Sequence, residues 1–318
     1  MRKVNKLSIV IPCHNEQEVL LSTHERLKNI VGQLINKKAC SSYEIIYVDN
    51  GSTDNTLQVL CDIYAADSSV KIISLRRNFG YQGSISAGLY YAKGDAVITI
   101  DADLQDPPEK IGEMIERYQD DYDLVLGVRV DRQADTIVKR FFAENYYRLT
   151  RFFGVEIVHN HGDFRLMSQS LVKEFNSLVE RNRFIRAMIL QLESKYAVVN
   201  YKREKRQAGT SKFNISSLFS ISFDGLVSFT YVPLRLASLS GLLLCLLSLF
   251  SIIWVLYIKY STTVFPGWTS TLLPILALGG FQLLVLGLIG EYIGRLYLEV
   301  KHRPVFIVRN EFLHQEKV

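Results

Sequence analysis

Along the first 130 positions, apolar residues fall alternately into short β-branched runs and into stretches with helical spacing. The runs 7–12, 44–48, 70–75, 96–100 and 124–130 have the length and composition of buried strands. Between them, 16–37, 55–66, 82–92 and a segment opening at Pro108 carry apolar positions three and four apart, which predicts helices. Proline suits the first turn of the last of these. Strand and helix in strict alternation predict an α/β domain built on a parallel sheet with helices on both faces. No G-x-G-x-x-G follows the first strand, which argues against a dinucleotide-binding Rossmann domain.

Beyond Arg132 the pattern loosens. An amphipathic helix is predicted over 136–153, bearing Lys139, Arg140, Arg148 and Arg151. His159-Asn-His161-Gly162-Asp163 then reads as a glycine-hinged loop entering a strand. Helices near 169–179 and 184–193 precede a strand over 197–202. The stretch 201–212 is densely basic, and 213–229 has the apolar spacing of a helix lying in a membrane interface.

The C-terminal pattern changes again. Residues 236–258 carry no charge over a length that can cross a bilayer, and a second uncharged stretch from about 271 to 290 can cross back. Pro233, Pro266 and Pro274 mark ends and a kink. Arg203, Lys205, Arg206, Lys212 and Arg235 precede the first stretch, and Arg295, Lys301, Arg303 and Arg309 follow the second. Positive flanks on both outer ends place both termini in the cytoplasm. The expected organisation is a cytoplasmic α/β domain (1–212), a juxtamembrane amphipathic helix (213–230), a two-helix transmembrane hairpin (231–293) and a cytoplasmic tail (294–318), in the plasma (inner) membrane.

Composition changes this picture little. Of 318 residues 48% are hydrophobic, and the net charge is a modest +5, concentrated near the predicted membrane segments rather than spread as a nucleic-acid-binding face. Cys13, Cys40, Cys61 and Cys245 form no C-x-x-C pair and no regular spacing, which excludes a zinc ribbon and a disulfide framework and fits a reducing compartment. The polar start, 1–6, leads directly into a strand with no apolar leader, so the first part of the chain is expected on the cytoplasmic side.

The candidate chemistry lies at strand ends. The run 96–100 opens into Asp101-Ala102-Asp103-Leu-Gln105-Asp106-Pro-Pro108. Alternate residues of an extended segment point the same way, so Asp101 and Asp103 can converge on one object. Two carboxylates and the Gln105 carboxamide suit a hard divalent cation that also binds substrate phosphates; a polar turn is the simpler alternative for an isolated D-x-D. Asn15 and Glu16, Asp49, Arg76 and Arg77, and Arg129 occupy other strand ends, and one crevice can gather them. In the basic stretch, Gly209-Thr-Ser211 among cations suits a phosphate pocket, while the cations alone suit anionic lipid.

IVIPCHNEQ, VDNGSTDNT, RNFGYQGSISAGL, GDAVITIDADLQDPPE, GVR, GDFRLM and RQAGTSKF occur in that order. Together they resemble the family 2 glycosyltransferases of GT-A fold. With two C-terminal spans, the chain is similar to the polyprenyl-phosphate branch, which includes dolichyl-phosphate mannose synthases, aminoarabinose transferases and bacterial undecaprenyl-phosphate (bactoprenol) glucosyltransferases. The resemblance implies inverting transfer of a sugar from a nucleotide diphosphate donor to a polyprenyl phosphate. It implies Pro12, Asn15, Glu16 and Asp49 in the nucleoside pocket, with Asp101, Ala102 and Asp103 against the nucleotide sugar. Asp101 contacts ribose or metal on this reading, and Asp103 and Gln105 ligate Mg²⁺ or Mn²⁺. Arg129 and Arg140 face the diphosphate or the acceptor phosphate. Arg206, Ser211 and Lys212 take the acceptor phosphate, and Asp163 matches the position proposed as the base.

Residue chemistry qualifies that base. A phosphate monoester with a second pKa near 6 is largely dianionic at pH 7 and is its own nucleophile. Asp163 is therefore expected as a weak base or as a group orienting Arg140 or the acceptor, the alternative being a pair with Arg165. His159 and His161 lack further His or Cys ligands at zinc spacing. The approach to the Gly162-Asp163 pair is where the chain departs most from the resembled family.

Rival readings are weaker. A processive polysaccharide synthase is expected to carry Q-x-x-R-W, whereas both tryptophans, Trp254 and Trp268, lie in or beside the predicted spans. A scaffold or lipid-translocation role finds no polar pathway in uncharged spans. UDP-glucose is the expected donor, with aminoarabinose, mannose and N-acetylhexosamine donors as alternatives. Small residues at Gly279-Gly280 and Gly287-x-x-Gly290 permit helix packing within a chain or in a homo-oligomer.

Overall fold

The computed structural model of the chain describes residues 2–130, 158, 160–181, 183–204, 232–261 and 267–314. Its strands are β1 (Val4–Cys13), β2 (Cys40–Asp49), β3 (Val70–Leu75), β4 (Ala96–Thr99), β5 (Leu124–Arg129), β6 (His161–Ser168), β7 (Tyr196–Tyr201) and β8 (Val308–Phe312). Its helices are α1 (Leu20–Asn36), α2 (Thr56–Ala66), α3 (Gly80–Tyr91), α4 (Ile111–Gln119), α5 (Gln169–Ser177), α6 (Ile185–Leu192), α7 (Val232–Ser261) and α8 (Trp268–Val300). The chain divides into two compact units, one holding the sheet with its helices and the other holding α7 and α8.

The strands form one sheet in the order β7-β5-β6-β4-β1-β2-β3-β8. β1 sits between β4 and β2, parallel to both, with Leu7, Ile9, Val10 and Ile11 wholly buried. Covering both faces explains its continuous apolar run. Each such side chain contributes roughly 1.5–3 kcal/mol by leaving water.

The sheet is mostly parallel, as the alternation predicts, with two antiparallel exceptions. β6 inserts between β4 and β5, antiparallel to both. The glycine-hinged loop expected to lead into a strand at 159–163 is already strand from His161 onward. β8 pairs antiparallel with β3. It lies within the segment expected to be a tail and closes an edge that would otherwise expose unpaired backbone groups.

Helix ends also differ from the sequence reading. α1 starts at Leu20 rather than near Glu16, because Asn15 adopts φ 56° and the Glu16 N–H is taken by Thr56 Oγ1 at 2.9 Å. Pro108 opens a short 3₁₀ turn, Pro108–Lys110, before α4.

In the second unit, α7 has 30 residues and α8 has 33, lengths of roughly 45–50 Å at 1.5 Å per residue. Among the described residues, one segment, Ala277–Val300, is long and apolar enough by composition to cross a membrane. Pro274 lies inside α8 near its start. The helices expected over 136–153 and 213–230 lie outside the described residues.

Candidate active site

The carboxyl ends of β1, β2, β3 and β4 point the same way because these strands are parallel neighbours. Their register sets Cys13 beside Asp49, and Asp49 beside Ser74. Asp49 is buried, and its Oδ2 accepts from Ser74 Oγ at 3.0 Å while its Oδ1 accepts from the Ser52 N–H at 3.0 Å. Asn15 accepts from the Thr53 N–H at 2.8 Å through Oδ1, and its own N–H donates to Ser52 Oγ. The 49–53 turn thus joins Asn15 and Asp49 beside Pro12 and Glu16. Gly51 makes it possible: at φ 63° its Cβ position lies 2.5 Å from the Arg77 carbonyl carbon.

The Asp101–Gln105 loop is held from several sides. Thr23 Oγ1 donates to the Ala102 carbonyl at 2.7 Å. The Gln105 N–H donates to Asp103 Oδ1 at 3.2 Å, and the Gln105 carbonyl accepts from the Glu204 N–H at 2.9 Å. Leu104 is buried at φ 55°, a left-handed conformation that costs a residue with a Cβ roughly 1–2 kcal/mol. That strain lets Asp103 turn inward while Leu104 stays in the core.

Asp101 accepts from the Tyr81 hydroxyl. Burial, with the charges of Asp163, Asp106 and Asp103 adding to it, pushes its carboxyl up to about 7. Carboxylates crowded to this degree resist ionising together. Among the described residues, no three His, Cys, Asp or Glu side chains group so as to hold a metal ion. A donor set made only of oxygens is what a Mg²⁺- or Mn²⁺-type ion shared with a diphosphate takes, and Asp101, Asp103 and Gln105 carry oxygen donors of that type.

Asp163 lies on β6, whose register carries it toward Asp101: Thr99 pairs with Arg165, and Thr99 Oγ1 donates to the Asp163 carbonyl. Its carboxylate accepts from Arg165 and from Arg186. Burial would raise its pKa, but the Arg186 and Arg165 guanidiniums outweigh that and hold it well below the usual carboxylate range. Arg165 is wholly buried. The sequence reading anticipated Arg165 as a partner and missed Arg186. The available signal was a single cation in Ile185–Leu192, where Ile185, Ala187, Met188, Ile189 and Leu190 are all buried.

Arg129 reaches a different carboxylate. Its Nη2 lies 3.4 Å from Asp106 Oδ2, and its Nε donates to the Tyr201 hydroxyl at 3.1 Å. Gly162 permits this approach, since a Cβ there would lie 2.9 Å from Arg129 Nη2. Asp106 is fully buried and also faces Arg203 at 3.6 Å. Arg26 binds Glu109 through Nε and Nη2, both at 2.8 Å, and Glu204 through Nη1 at 3.0 Å and Nη2 at 2.8 Å. The acidic loop and the chain leaving β7 are therefore fastened together at Glu204, within the basic stretch. Arg140, Arg206, Ser211, Lys212 and His159 lie outside the described residues.

An acidic strand end facing arginines thus lies on a mostly parallel α/β sheet, with a turn-bound asparagine and aspartate alongside. Residues 8–175 match the profile of Glycosyl transferase family 2, and the chain belongs to that family. It is similar to the Bacillus subtilis glycosyltransferase YkcC, at 39% identity over 96% of this chain and 94% of the relative. It is similar also to the bactoprenol glucosyl transferase of Shigella phage SfV, at 39% identity over 96% and 99%. A solved Mycobacterium tuberculosis glucosyl-3-phosphoglycerate synthase, in complex with Mn²⁺, UDP-glucose and phosphoglyceric acid, overlaps at TM-score 0.44 and 19% identity, covering 69% of this chain and 76% of that one.

Proposed function

We propose that this glycosyltransferase moves glucose from UDP-glucose to a polyprenyl phosphate, undecaprenyl phosphate, with inversion at the anomeric carbon. Near-full-length similarity to a bactoprenol glucosyl transferase carries the reading. In the reaction a phosphate oxygen of the acceptor forms the new bond to the anomeric carbon, and the bond from that carbon to the diphosphate breaks, releasing UDP. Asp101, Asp103 and Gln105 would hold Mg²⁺ or Mn²⁺, which supplies positive charge against the departing diphosphate.

The remaining work falls to the chain's own residues. Pro12, Asn15, Glu16 and Asp49 line the nucleoside side, and Ala102 lies between the two carboxylates at the nucleotide sugar. Arg129 and Arg140 offer cations to phosphate oxygens, while Arg206, Ser211 and Lys212 receive the acceptor phosphate. That phosphate arrives already ionised, so Asp163 orients Arg165 and Arg186 rather than removing a proton.

Membrane placement follows from the acceptor. α7 and α8 form two spans (231–293), 213–230 lies in the interface, and the catalytic domain (1–212) and the tail (294–318) are cytoplasmic, with no nucleic-acid partner. A homo-oligomer packs through the glycines of α8. Detergent-purified protein given undecaprenyl phosphate, Mg²⁺ or Mn²⁺ and a panel of labelled UDP- and GDP-sugars is expected to label the lipid from UDP-glucose. Labelling from another donor would replace the sugar, and labelling from none would remove the reading.

A further inference from the structure

His161 opens β6 opposite Val128 of β5, and it is 4% exposed. Among the described residues, neither ring nitrogen has a hydrogen-bond partner. His161 lies two residues before Asp163, where the β5–β6 register shifts between Leu126 and Val128, and its ring is close enough to Arg165, Arg186, Asp163 and Arg129 to feel their charges. Buried polar atoms are nearly always satisfied, and an orphaned one calls for an explanation. Burial, and the neighbouring Arg165 and Arg186 cations, keep the imidazole uncharged.

We propose that His161 reads a hydroxyl of the sugar carried by the nucleotide donor. This deepens the reading above and rests on it for the choice of donor class. A neutral imidazole offers one N–H donor and one lone-pair acceptor. A sugar hydroxyl likewise donates and accepts, so it can satisfy such a ring. A phosphate dianion only accepts; it would leave one nitrogen orphaned and has Arg129, Arg165 and Arg186 close by as better partners. A metal ion finds no third His, Cys, Asp or Glu ligand among the described residues. His161 therefore acts as a specificity residue, beside the carboxylates that serve the diphosphate.

The test compares sugar with nucleotide. Affinities of full-length, detergent-solubilised protein for UDP and for the UDP- or GDP-sugar it binds tightest are measured calorimetrically with Mn²⁺, for wild type, His161→Leu and His161→Asn. His161→Leu is expected to weaken the nucleotide sugar roughly tenfold or more while leaving UDP unchanged. Monodeoxy sugar donors should show one position whose loss costs the wild type a similar factor and costs His161→Leu nothing. Leucine removes two orphaned atoms from the interior, so thermal stability should hold or rise, whereas a merely structural histidine would lower it. Should the leucine variant fail to fold, His161→Asn decides on the same comparison.

Equal changes in UDP and nucleotide-sugar affinity, or no change in either, would overturn the assignment, a buried water being then the ring's partner. Transfer to undecaprenyl phosphate, assayed in parallel, separates the two readings. Transfer with an unaltered sugar contribution sinks the role of His161 alone. Sugar-selective binding without transfer supports His161 and sinks the acceptor. Failure to bind any nucleotide sugar sinks both.

Discussion

Arg186 places its Nε 3.2 Å from each carboxylate oxygen of Asp163, although one residue sits on α6 and the other on β6. Arg165 holds the same carboxylate from its own strand. A carboxylate gripped by two guanidiniums is a poor proton acceptor, because protonation would forfeit both pairs.

Asp163→Asn is therefore expected to retain measurable transfer while losing about 3–5 kcal/mol of stability, since Arg165 would be left buried without its counter-ion. Turnover per folded molecule and denaturant midpoints measure the two effects. With its carboxyl held well below the usual range, Asp163 keeps constant charge above about pH 4, so it adds no inflection to the rate profile there. Complete loss of transfer with stability and acceptor binding unchanged would make Asp163 the base after all.

Asp103→Ala should abolish transfer with the fold intact. Asp103 is buried at the loop, where its Oδ1 accepts from the Gln105 N–H, and the thermal midpoint measures any cost to the fold separately from transfer. Chelation of divalent ions from the wild type should stop transfer, and Mg²⁺ or Mn²⁺ should restore it. Transfer that persists in chelator would count against the metal assignment.

Glu44 supplies a pH test of the fold. Burial opposes its ionisation, but Lys71 at 2.8 Å, the Ser8 hydroxyl at 2.6 Å, the Lys93 N–H at 2.8 Å and Lys6 at 3.0 Å prevail and hold the carboxyl at about 2. The pKa is depressed on folding, so its contribution is complete above the unfolded value near 4.5 and disappears as pH falls toward 2. At 1.36 kcal/mol per unit it amounts to roughly 3 kcal/mol. Glu44→Gln should destabilise the sheet unit at neutral pH and flatten its acid unfolding between pH 5 and about 2, as followed by circular dichroism.

Gly51→Ala is expected to damage donor binding more than stability of the distant sheet edge. The added methyl would meet backbone of Arg77 and Asn78 at 2.5–2.8 Å, and backbone cannot swing aside as a flexible side chain can. Titration with UDP should show at least a tenfold loss, the order expected when a turn residue at positive φ is replaced with strain of about 1–2 kcal/mol. Unchanged UDP affinity would separate this turn from the nucleoside pocket.

Sequence by itself determined the alternation of strands and helices over the first 130 residues. β1, β2 and β3 declare themselves because strands covered on both faces must be apolar throughout, and Asp101 and Asp103 announce a strand end that nothing in the core could tolerate unpaired. Local pattern is silent on partners. Whether β6 would run antiparallel between β4 and β5, or whether Val308–Phe312 would return to cap β3, depends on pairings between residues distant in the chain. For the same reason Arg186 went unread: its meaning is a contact with Asp163, which exists only once α6 packs against β6. The tertiary structure alone decided that Asp163 is held by two cations and that His161, buried beside them, has no hydrogen-bond partner among the described residues.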